Sequence, residues 1–341
     1  MRPHIFVVQP VFDEALEPLR AVGEVELFPH TDRRISKEEL LAGVRRSQYL
    51  FTLGEIVIDA EVIRANPGLK LIATMAIYPT TVDIAAATAQ GIPVTCIPNF
   101  ITETTADITF ALLLGVAWRL PEADRFTRNG QWRQNQSMAF LCSHVYGKTL
   151  GIVGLGKVGQ GVARRAGGFD MRVLYTKRTR LSPEEEAELG VEWRELEKLF
   201  READYVSLTP TLTASSEGLV GERLLSLMKP TAILINTSRG RVLDEEALVR
   251  ALQEGRIAGA GLDVYQWEPP LSDPSPHPAL LRLPNVVLTP HIGSATPDTR
   301  IQMAERVVQN ILAVMHSQRP PDVVNPEVYG EGSLTPTERI G

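Results

Sequence analysis

A glycine-rich turn between an apolar segment and a helical pattern limits the possible folds of this chain more than any other motif. The turn, Gly154-Leu-Gly156-Lys-Val-Gly159, follows the apolar residues 150–153 and precedes a helical pattern over residues 157–166. Glycines at this spacing allow a tight turn, close approach of a pyrophosphate to the backbone, and close packing of the helix on the strand. The helix N-terminus attracts the phosphate charge. The sequence therefore predicts a dinucleotide site at Gly154, Leu155, Gly156, Lys157, Val158 and Gly159.

Short apolar segments alternate with helical patterns on both sides of this turn. The alternation covers the first hundred residues, stops at a buried helix predicted from about residue 104 to 119, and restarts at residue 148. Such alternation is typical of βαβ units around a parallel sheet. A chain of 341 residues exceeds one ordinary domain. We therefore expect an α/β fold with two doubly wound, Rossmann-like parallel-sheet domains.

Composition excludes several other classes of protein. Hydrophobic residues make up 44% and the net charge is −6, so we expect a globular protein that binds neither nucleic acid nor a membrane surface. The longest apolar run, residues 108–118, is too short to cross a bilayer, which needs about 20 residues. Cys96 and Cys142 are expected to be buried thiols in a reducing, cytoplasmic compartment. No spacing of cysteines indicates a metal site.

The segment after the next predicted strand carries cations where an NAD-binding chain would carry an acid. The strand at 171–176 leads directly into this segment, about 20 residues beyond the turn. There, an acidic residue would accept hydrogen bonds from the adenosine ribose. Cations instead indicate a 2′-phosphate, so NADP(H) is the preferred cofactor and NAD(H) the alternative. A solvated basic loop without a ligand is the competing interpretation. The residues predicted to contact the ribose are Lys177, Arg178, Thr179 and Arg180.

Three further residues follow predicted strands of the second half, namely Arg239, Glu268 and His291. The carboxyl ends of parallel strands meet at one edge of a sheet, where ligands bind. A guanidinium binds a carboxylate, an imidazole carries a proton near neutral pH, and a carboxylate stabilises the imidazolium. Taken singly, the three residues would be a surface ion pair, a solvated acid and a hydrogen-bonded core histidine. Together they predict an active site.

With these motifs in this order, the chain resembles the D-isomer-specific 2-hydroxyacid dehydrogenases. The resemblance extends from about residue 45 to Val328. The segments that carry the resemblance are Gly151-Ile-Val-Gly-Leu-Gly156-Lys-Val-Gly159, Asn236-Thr-Ser-Arg239-Gly240, Gly259-Ala-Gly-Leu-Asp263-Val, Glu268-Pro-Pro270 and Pro290-His291-Ile-Gly-Ser-Ala-Thr296. Two others resemble the glyoxylate/hydroxypyruvate reductases of that family: Tyr175-Thr-Lys-Arg-Thr-Arg180 and Pro320-Pro-Asp-Val-Val-Asn-Pro326.

The resemblance implies a role for each site residue. Arg239 would bind the substrate carboxylate and carbonyl, His291 would be the general acid for reduction, and Glu268 its partner. Cofactor contacts are implied at Thr105, Pro210, Thr237, Ser238, Arg239, Asp263, His291 and Gly293. Substrate contacts are implied at Ala76, Ile77, Tyr78 and Arg239.

The resemblance also implies how the chain is organised. A discontinuous substrate domain, residues 1–101 and 291–341, would flank an NAD(P)-binding domain over residues 102–290. An arm at residues 121–146, with Trp132, Met138 and Phe140, would pair two copies into a homodimer. Simple packing of these side chains within one domain is the competing interpretation.

Two segments depart from the family pattern. Tyr78 occupies the place of a glycine in the substrate loop and is followed by Pro79. A bulky residue disfavours positive φ and proline lacks an N–H donor, so we expect a reshaped or smaller substrate pocket. The second departure is Thr209-Pro210-Thr211, where the family pattern has its proline one residue later.

The implied activity is NAD(P)-dependent reduction of a small 2-oxo acid, glyoxylate or hydroxypyruvate first, to the D-2-hydroxy acid. A 3-phosphoglycerate-type dehydrogenase is the alternative within the family. That type normally carries a C-terminal regulatory domain, whereas about 25 residues follow the last predicted helix here. A non-catalytic, nucleotide-sensing scaffold is the alternative from another class, because some relatives act as transcriptional corepressors. Turnover of glyoxylate separates the enzyme from the scaffold.

Overall fold

The computed structural model describes residues 2–135, 137–268 and 276–330, which form two compact units. One unit runs to Phe100 and resumes at Ala295, and the other is Ile101–Ser294. The second crossing lies a few residues beyond the predicted position of 291. Backbone groups of Ile292 and Gly293 donate hydrogen bonds to Asp263, and these bonds hold the loop within the second unit.

The first unit is a five-stranded parallel sheet with helices. Its strands are β1 (His4–Val7), β2 (Glu24–Leu27), β3 (Tyr49–Leu53), β4 (Leu71–Met75) and β5 (Val94–Thr95), in the order β2-β1-β3-β4-β5. Its first helices are α1 (Asp13–Val22), α2 (Lys37–Arg46), α3 (Ala60–Arg64) and α4 (Ile84–Ala89). The sequence pattern did not predict β2, because this edge strand, EVEL, has no fully buried side chain.

The second unit is a seven-stranded parallel sheet. Its strands are β6 (Thr149–Val153), β7 (Arg172–Thr176), β8 (Val191–Trp193), β9 (Tyr205–Leu208), β10 (Ile233–Asn236), β11 (Gly259–Leu262) and β12 (Val286–Leu288). Its helices are α5 (Thr102–Ala117), α6 (Leu120–Arg128), α7 (Lys157–Gly167), α8 (Pro183–Leu189), α9 (Leu196–Glu202), α10 (Glu222–Leu225) and α11 (Glu245–Gln253). Both sheets agree with the predicted doubly wound α/β class.

The C-terminal part of the chain packs on the first unit. The last helix, α12 (Pro297–Met315), begins at the capping residue Thr296 and packs against α1 and β4. Beyond it, the fully buried Asn325 accepts a hydrogen bond from the Val94 amide at 2.7 Å and donates one to the Ile92 carbonyl at 2.9 Å. These bonds tie the segment after α12 to β5.

The strand order of the second sheet locates a ligand crevice. The order is β12-β11-β10-β9-β6-β7-β8, so the chain reverses its direction of progress between β6 and β9. Ligands of open α/β sheets bind outside the carboxyl ends of the strands at such a reversal. The glycine-rich turn begins at Gly154, directly after β6. The predicted turn therefore lies at the reversal.

Two glycines of β11 allow helix α5 to pack closely on the second sheet. A Cβ atom on Gly259 would lie 2.7 Å from a methyl group of Val116, and one on Gly261 would lie 2.9 Å from Cβ of Leu112. From Ile108 to Ala117 helix α5 is apolar apart from Thr109, and it buries residues on several faces, as expected for a helix enclosed by other elements. No helix in the described ranges is long and apolar enough to span a bilayer.

The prediction of buried cysteines is wrong for Cys142. This thiol is exposed because it lies in the irregular segment between α6 and β6, most of whose described side chains face solvent. Cys96 is partly buried, and burial raises the pKa of its thiol to about 11.

Candidate active site

The carboxyl ends of three neighbouring strands lie side by side in the second unit. In the parallel register Asn236 of β10 is opposite Leu262 of β11, which in turn is opposite Leu288 of β12. The loops after these strands carry the three predicted catalytic residues, Arg239, Glu268 and His291.

The structure pairs His291 with Glu268. The imidazole Nδ1 lies 2.8 Å from Glu268 Oε2, and the other carboxylate oxygen accepts a hydrogen bond from the Tyr265 amide at 2.7 Å. A carboxylate only accepts, so Nδ1 is the donor and Nε2 is left for an external oxygen. The His291 side chain is 49% exposed, compared with 25% for Glu268. Glu268 thus orients the ring through Nδ1, and the half-exposed side chain leaves Nε2 accessible.

The buried carboxylate of Asp263 supports the loop that carries His291. Its oxygens accept hydrogen bonds from the Thr289 hydroxyl at 2.6 Å and from the amides of Ile292 and Gly293 at 2.8 Å each. His291 itself has a φ of 53°, in the left-handed region that non-glycine residues rarely occupy. The hydrogen bonds on both sides of His291 hold this costly conformation. The predicted contact of Asp263 with the cofactor stays a prediction.

Tyr265 links the loop of His291 to the loop of Glu268. Its hydroxyl donates to the Thr289 carbonyl at 2.7 Å, and its amide is the donor to Glu268. Burial, followed by the nearby charge of Asp263, raises the pKa of this phenol above its usual range. The hydroxyl therefore remains a donor. Sequence reasoning did not identify Tyr265, because a tyrosine after a strand carries no recognisable signal.

The loop of Arg239 packs directly on the loop of Glu268. A Cβ atom on Gly240 would lie 1.7 Å from the carbonyl carbon of Tyr265, so only glycine fits there. Asn236 donates through Nδ2 to the Arg239 carbonyl at 3.2 Å, and the Arg239 guanidinium donates to the Ser238 carbonyl at 2.7 Å. Close packing of the two loops thus brings Arg239 next to the segment that holds Glu268.

The glycine-rich turn meets the steric demands of a phosphate site. Gly154 has a φ of +89°, and a Cβ atom on Gly159 would lie 2.5 Å from the Gly154 carbonyl oxygen. A Cβ atom on Gly156 would meet nothing within 4 Å, and no side chain caps the N-terminus of α7. This open N-terminus, formed by Gly156, the exposed Lys157 and Val158, fits a pyrophosphate group. Leu155 is buried, so only its backbone faces the turn.

The segment with the displaced proline packs on this turn. A Cβ atom on Gly154 would lie 2.7 Å from backbone atoms of Pro210. The Thr209 hydroxyl donates to the carbonyl oxygens of Gly154 and Val153. Thr209 was not among the predicted residues, although its place after β9, beside the reversal, could have indicated it.

Two threonines of α5 reach the predicted cofactor edge. Thr105 is buried and its hydroxyl donates to the Gly293 carbonyl at 3.3 Å. Thr109 lies 2.8 Å, oxygen to oxygen, from Thr237. Ser238, next along the chain, binds Asn236 through its amide and hydroxyl. The structure therefore places Thr105, Thr237, Ser238 and Gly293 along one connected hydrogen-bonded edge.

The cationic segment after β7 divides into paired and unpaired side chains. Arg180 donates two hydrogen bonds of 2.8 Å to Glu186. Within the described part of the chain, no hydrogen bond or ion pair is found for the side chains of the half-buried Lys177 and the exposed Arg178. Thr179 is exposed. The two unpaired cations fit a 2′-phosphate better than a ribose hydroxyl.

The predicted substrate residues Ala76, Ile77 and Tyr78 lie in the first unit, directly after β4. All three are half-buried. A Cβ atom on Gly54, which follows β3, would lie 3.0 Å from Cβ of Ala76. The substrate role of this segment rests on the family resemblance.

A buried acid outside the predicted set holds the loop of Glu268. Glu245, at the start of α11, is 3% exposed and accepts hydrogen bonds from the amides of Gln266 and His277. Burial raises the pKa of its carboxyl group. Pro269 and Pro270 of the family motif lie outside the described residues. Among the described residues, no group of three or more His, Cys, Asp or Glu side chains could hold a metal ion.

Comparison with protein families identifies the second unit. Residues 110–293 match the model of the D-isomer specific 2-hydroxyacid dehydrogenase, NAD binding domain. A glyoxylate reductase of Thermococcus kodakarensis is 47% identical over 332 residues, which cover 96% of this chain and 98% of the relative.

Solved structures of other proteins are similar to this one over nearly the whole chain. A protein of Thermus thermophilus is 43% identical with a TM-score of 0.86, covering 94% of this chain and 99% of that one. An NADPH-dependent glyoxylate/hydroxypyruvate reductase from Sinorhizobium meliloti, in complex with NADP and malonate, is 33% identical with a TM-score of 0.76. This second alignment covers 95% of this chain and 97% of the reductase.

The predicted α/β class, the glycine-rich turn and the ordered motifs all agree with these matches. The turn supports use of NAD or NADP, and the acid–imidazole pair supports reduction of a carbonyl. The chain belongs to the D-isomer specific 2-hydroxyacid dehydrogenase family, and it is an NAD(P)-dependent oxidoreductase of 2-oxo and 2-hydroxy acids.

Proposed function

We propose that the protein reduces glyoxylate to glycolate or hydroxypyruvate to the D-2-hydroxy acid D-glycerate, with NADPH preferred over NADH. The observation that carries the proposal is the His291–Glu268 pair of 2.8 Å, on a loop adjoining that of Arg239 at the carboxyl edge of the sheet. The names of the relatives support the choice of small 2-oxo acids.

Each side chain has a distinct role in this reaction. The cofactor, when bound, supplies a hydride to the carbonyl carbon. Arg239 binds the substrate carboxylate through its guanidinium and polarises the carbonyl oxygen. His291 donates a proton from Nε2 to that oxygen, since Nδ1 is bonded to Glu268. Glu268 orients the ring and stabilises its cationic form.

The remaining predicted residues form the two binding regions of the proposal. The backbone at Gly154, Gly156 and Gly159 receives the pyrophosphate, and Lys177 with Arg178 receives the 2′-phosphate. The substrate role of residues 76–78 and the division into a substrate and a cofactor domain extend the proposal by family resemblance. Tyr78 and Pro79 are expected to reshape the substrate pocket or make it smaller, and a smaller pocket favours acids with a small group beyond the carbonyl.

A panel of 2-oxo acids tests the proposed activity. Oxidation of NADPH and of NADH is followed with glyoxylate, hydroxypyruvate, 3-phosphohydroxypyruvate and 2-oxo acids with branched side chains. We expect kcat/KM to be highest for glyoxylate or hydroxypyruvate, and chiral chromatography to find D-glycerate from hydroxypyruvate. A maximum with the phosphorylated acid would favour the 3-phosphoglycerate type instead. No turnover with any acid would favour the non-catalytic scaffold.

The proposal includes a homodimer. Large apolar side chains are more than half exposed in the α5–β6 region, a pattern typical of an interface. They are Trp118, Leu120, Trp132, Met138, Leu141 and Tyr146. Light scattering should find twice the 37.6 kDa of one chain, and Trp132→Glu with Leu141→Glu should produce a monomer. Val57→Glu, at an exposed valine of the first unit, is the control. A monomeric wild type at micromolar concentration would exclude the dimer.

A further inference from the structure

The cationic segment after β7 is tied to helix α8 by one carboxylate. The Arg180 Nε and Nη2 atoms each donate to a different oxygen of Glu186 at 2.8 Å. This two-point pairing occupies the Nε and Nη2 donors of the guanidinium. A phosphate would be bound through the same kind of paired contact. The Arg180 guanidinium also lies 5.6 Å from the centre of the Trp193 ring, which fixes its position further.

A buried tyrosine holds Glu186 in place. The Tyr175 hydroxyl donates to Glu186 Oε1 at 2.7 Å and accepts a hydrogen bond from the Leu181 amide at 2.9 Å. Tyr175 is the fourth residue of β7, and its ring is fully buried. The carboxylate is therefore oriented from the sheet, and the segment 177–181 is anchored at its far end.

In the folded protein near neutral pH, the carboxyl group of Glu186 is ionised. Hydrogen bonds from Arg180 and then Tyr175 lower the pKa of this carboxyl group to about 2. Its negative charge thus lies against Arg180, at the end of the segment that carries Lys177 and Arg178. A 2′-phosphate bound there would compete with this carboxylate for Arg180 and would be repelled by it.

We propose that Glu186 determines the degree of cofactor selectivity, by binding Arg180 and so competing with the 2′-phosphate for its guanidinium. Lys177 and Arg178 then provide the selectivity that the wild type has. This inference rests on the proposed preference for NADPH, but its test compares variants with the wild type. Neither a substrate nor turnover is needed for that comparison.

The test measures the binding of two cofactor fragments that differ only in the phosphate. Isothermal titration calorimetry gives Kd for 2′,5′-ADP and for 5′-AMP in the wild type and in Glu186→Gln. The variant keeps an acceptor for Tyr175 but releases the charge of Arg180. One added solvent-exposed guanidinium contact should tighten 2′,5′-ADP about threefold to tenfold and leave 5′-AMP unchanged.

Two control variants separate the pair from general charge effects. Glu184→Gln removes the same charge from an exposed position of α8, and it should leave the ratio of the two Kd values unchanged. Glu186→Gln with Arg180→Ala has the net charge of the wild type and should lose the gain. Equal ratios in Glu186→Gln and the wild type, or a gain that survives removal of Arg180, would overturn the inference.

The outcomes also separate this inference from the proposed function. A wild type that binds 5′-AMP and 2′,5′-ADP equally would contradict the preference for NADPH. The change on Glu186→Gln would still report whether Arg180 is held back. A wild type that selects 2′,5′-ADP, with no change in the variant, would keep the preference and remove Glu186 from it.

Discussion

Two loops at the carboxyl edge of the second sheet are stabilised in opposite ways. The His291 loop, after β12, is held by the buried carboxylate of Asp263, which accepts three hydrogen bonds from groups of that loop. The cationic segment, residues 177–180 after β7, is held on the surface by an ion pair whose arginine is 58% exposed. The support of the first loop is a buried carboxylate, and the support of the second is an exposed ion pair.

The difference corresponds to what each loop has to do. A general acid has to be held within a few tenths of an ångström, and buried hydrogen bonds provide that precision at a high cost when broken. A loop that binds a phosphate through exposed cations depends on the sign of its charge more than on an exact position. Solvent weakens each of its contacts. Changes at the first loop should therefore be large and changes at the second modest.

The largest expected effect is that of His291→Ala on turnover. Loss of a positioned proton donor should lower kcat by about 10²–10⁴-fold. Stopped-flow or steady-state reduction of glyoxylate measures it, and an unchanged Kd for 2′,5′-ADP shows that the cofactor region is intact. Near-normal turnover in a correctly folded variant would remove His291 from the mechanism and weaken the contrast between the loops.

The next effect is that of Asp263→Asn on stability. An amide NH₂ would face a buried N–H donor, so the free energy of unfolding should fall by about 1–3 kcal/mol, and kcat should fall as the His291 loop loosens. Thermal denaturation measures the first, and the glyoxylate assay the second. Glu186→Gln is the matched change of a carboxylate to an amide in the surface pair, and it should leave Tm nearly unchanged. Equal losses of Tm in the two variants would contradict the comparison.

A smaller effect is expected for the ratio of kcat/KM with NADPH to that with NADH. Lys177→Asp with Arg178→Ala removes the two unpaired cations and adds an acceptor for the ribose, so the ratio should fall about tenfold or more. Lys198→Asp with Arg201→Ala makes the same change of charge on α9 and should not alter it. An unaltered ratio in the first double variant would show that the segment does not read the ribose.

The smallest effect is that of salt on the wild-type ratio. Exposed ion pairs are screened over about 10 Å at 0.1 M and about 3 Å at 1 M ionic strength. The NADPH preference should therefore decline several-fold between these conditions, whereas Tm of the Asp263-supported unit should not fall in parallel. Steady-state kinetics at graded sodium chloride concentrations measure the decline. A preference that does not depend on salt would indicate a buried phosphate contact.

Much of the second unit could be predicted because its signals are local. The apolar run before Gly154, the glycine spacing and the helix after it are contiguous, and each constrains the backbone at its own position. The first unit was harder, since β2 has alternating acids and no buried face, and since tertiary pairing with β1 overrides its weak pattern. Cys142 was misjudged because burial depends on what packs over a residue, which its own type does not encode.

The sequence alone determined the fold class, the phosphate-binding turn, the three catalytic candidates and the cations at the ribose end. These follow from residue type and short spacing, which act through steric limits and charge. The hydrogen-bond partners of these side chains became known from the folded structure. In the fold, Glu268 pairs with His291, Asp263 accepts hydrogen bonds from the amides beyond β12, and Arg180 pairs with Glu186. The reason is physical: a hydrogen bond depends on ångström distances between loops, and strand order, rather than sequence separation, sets those distances.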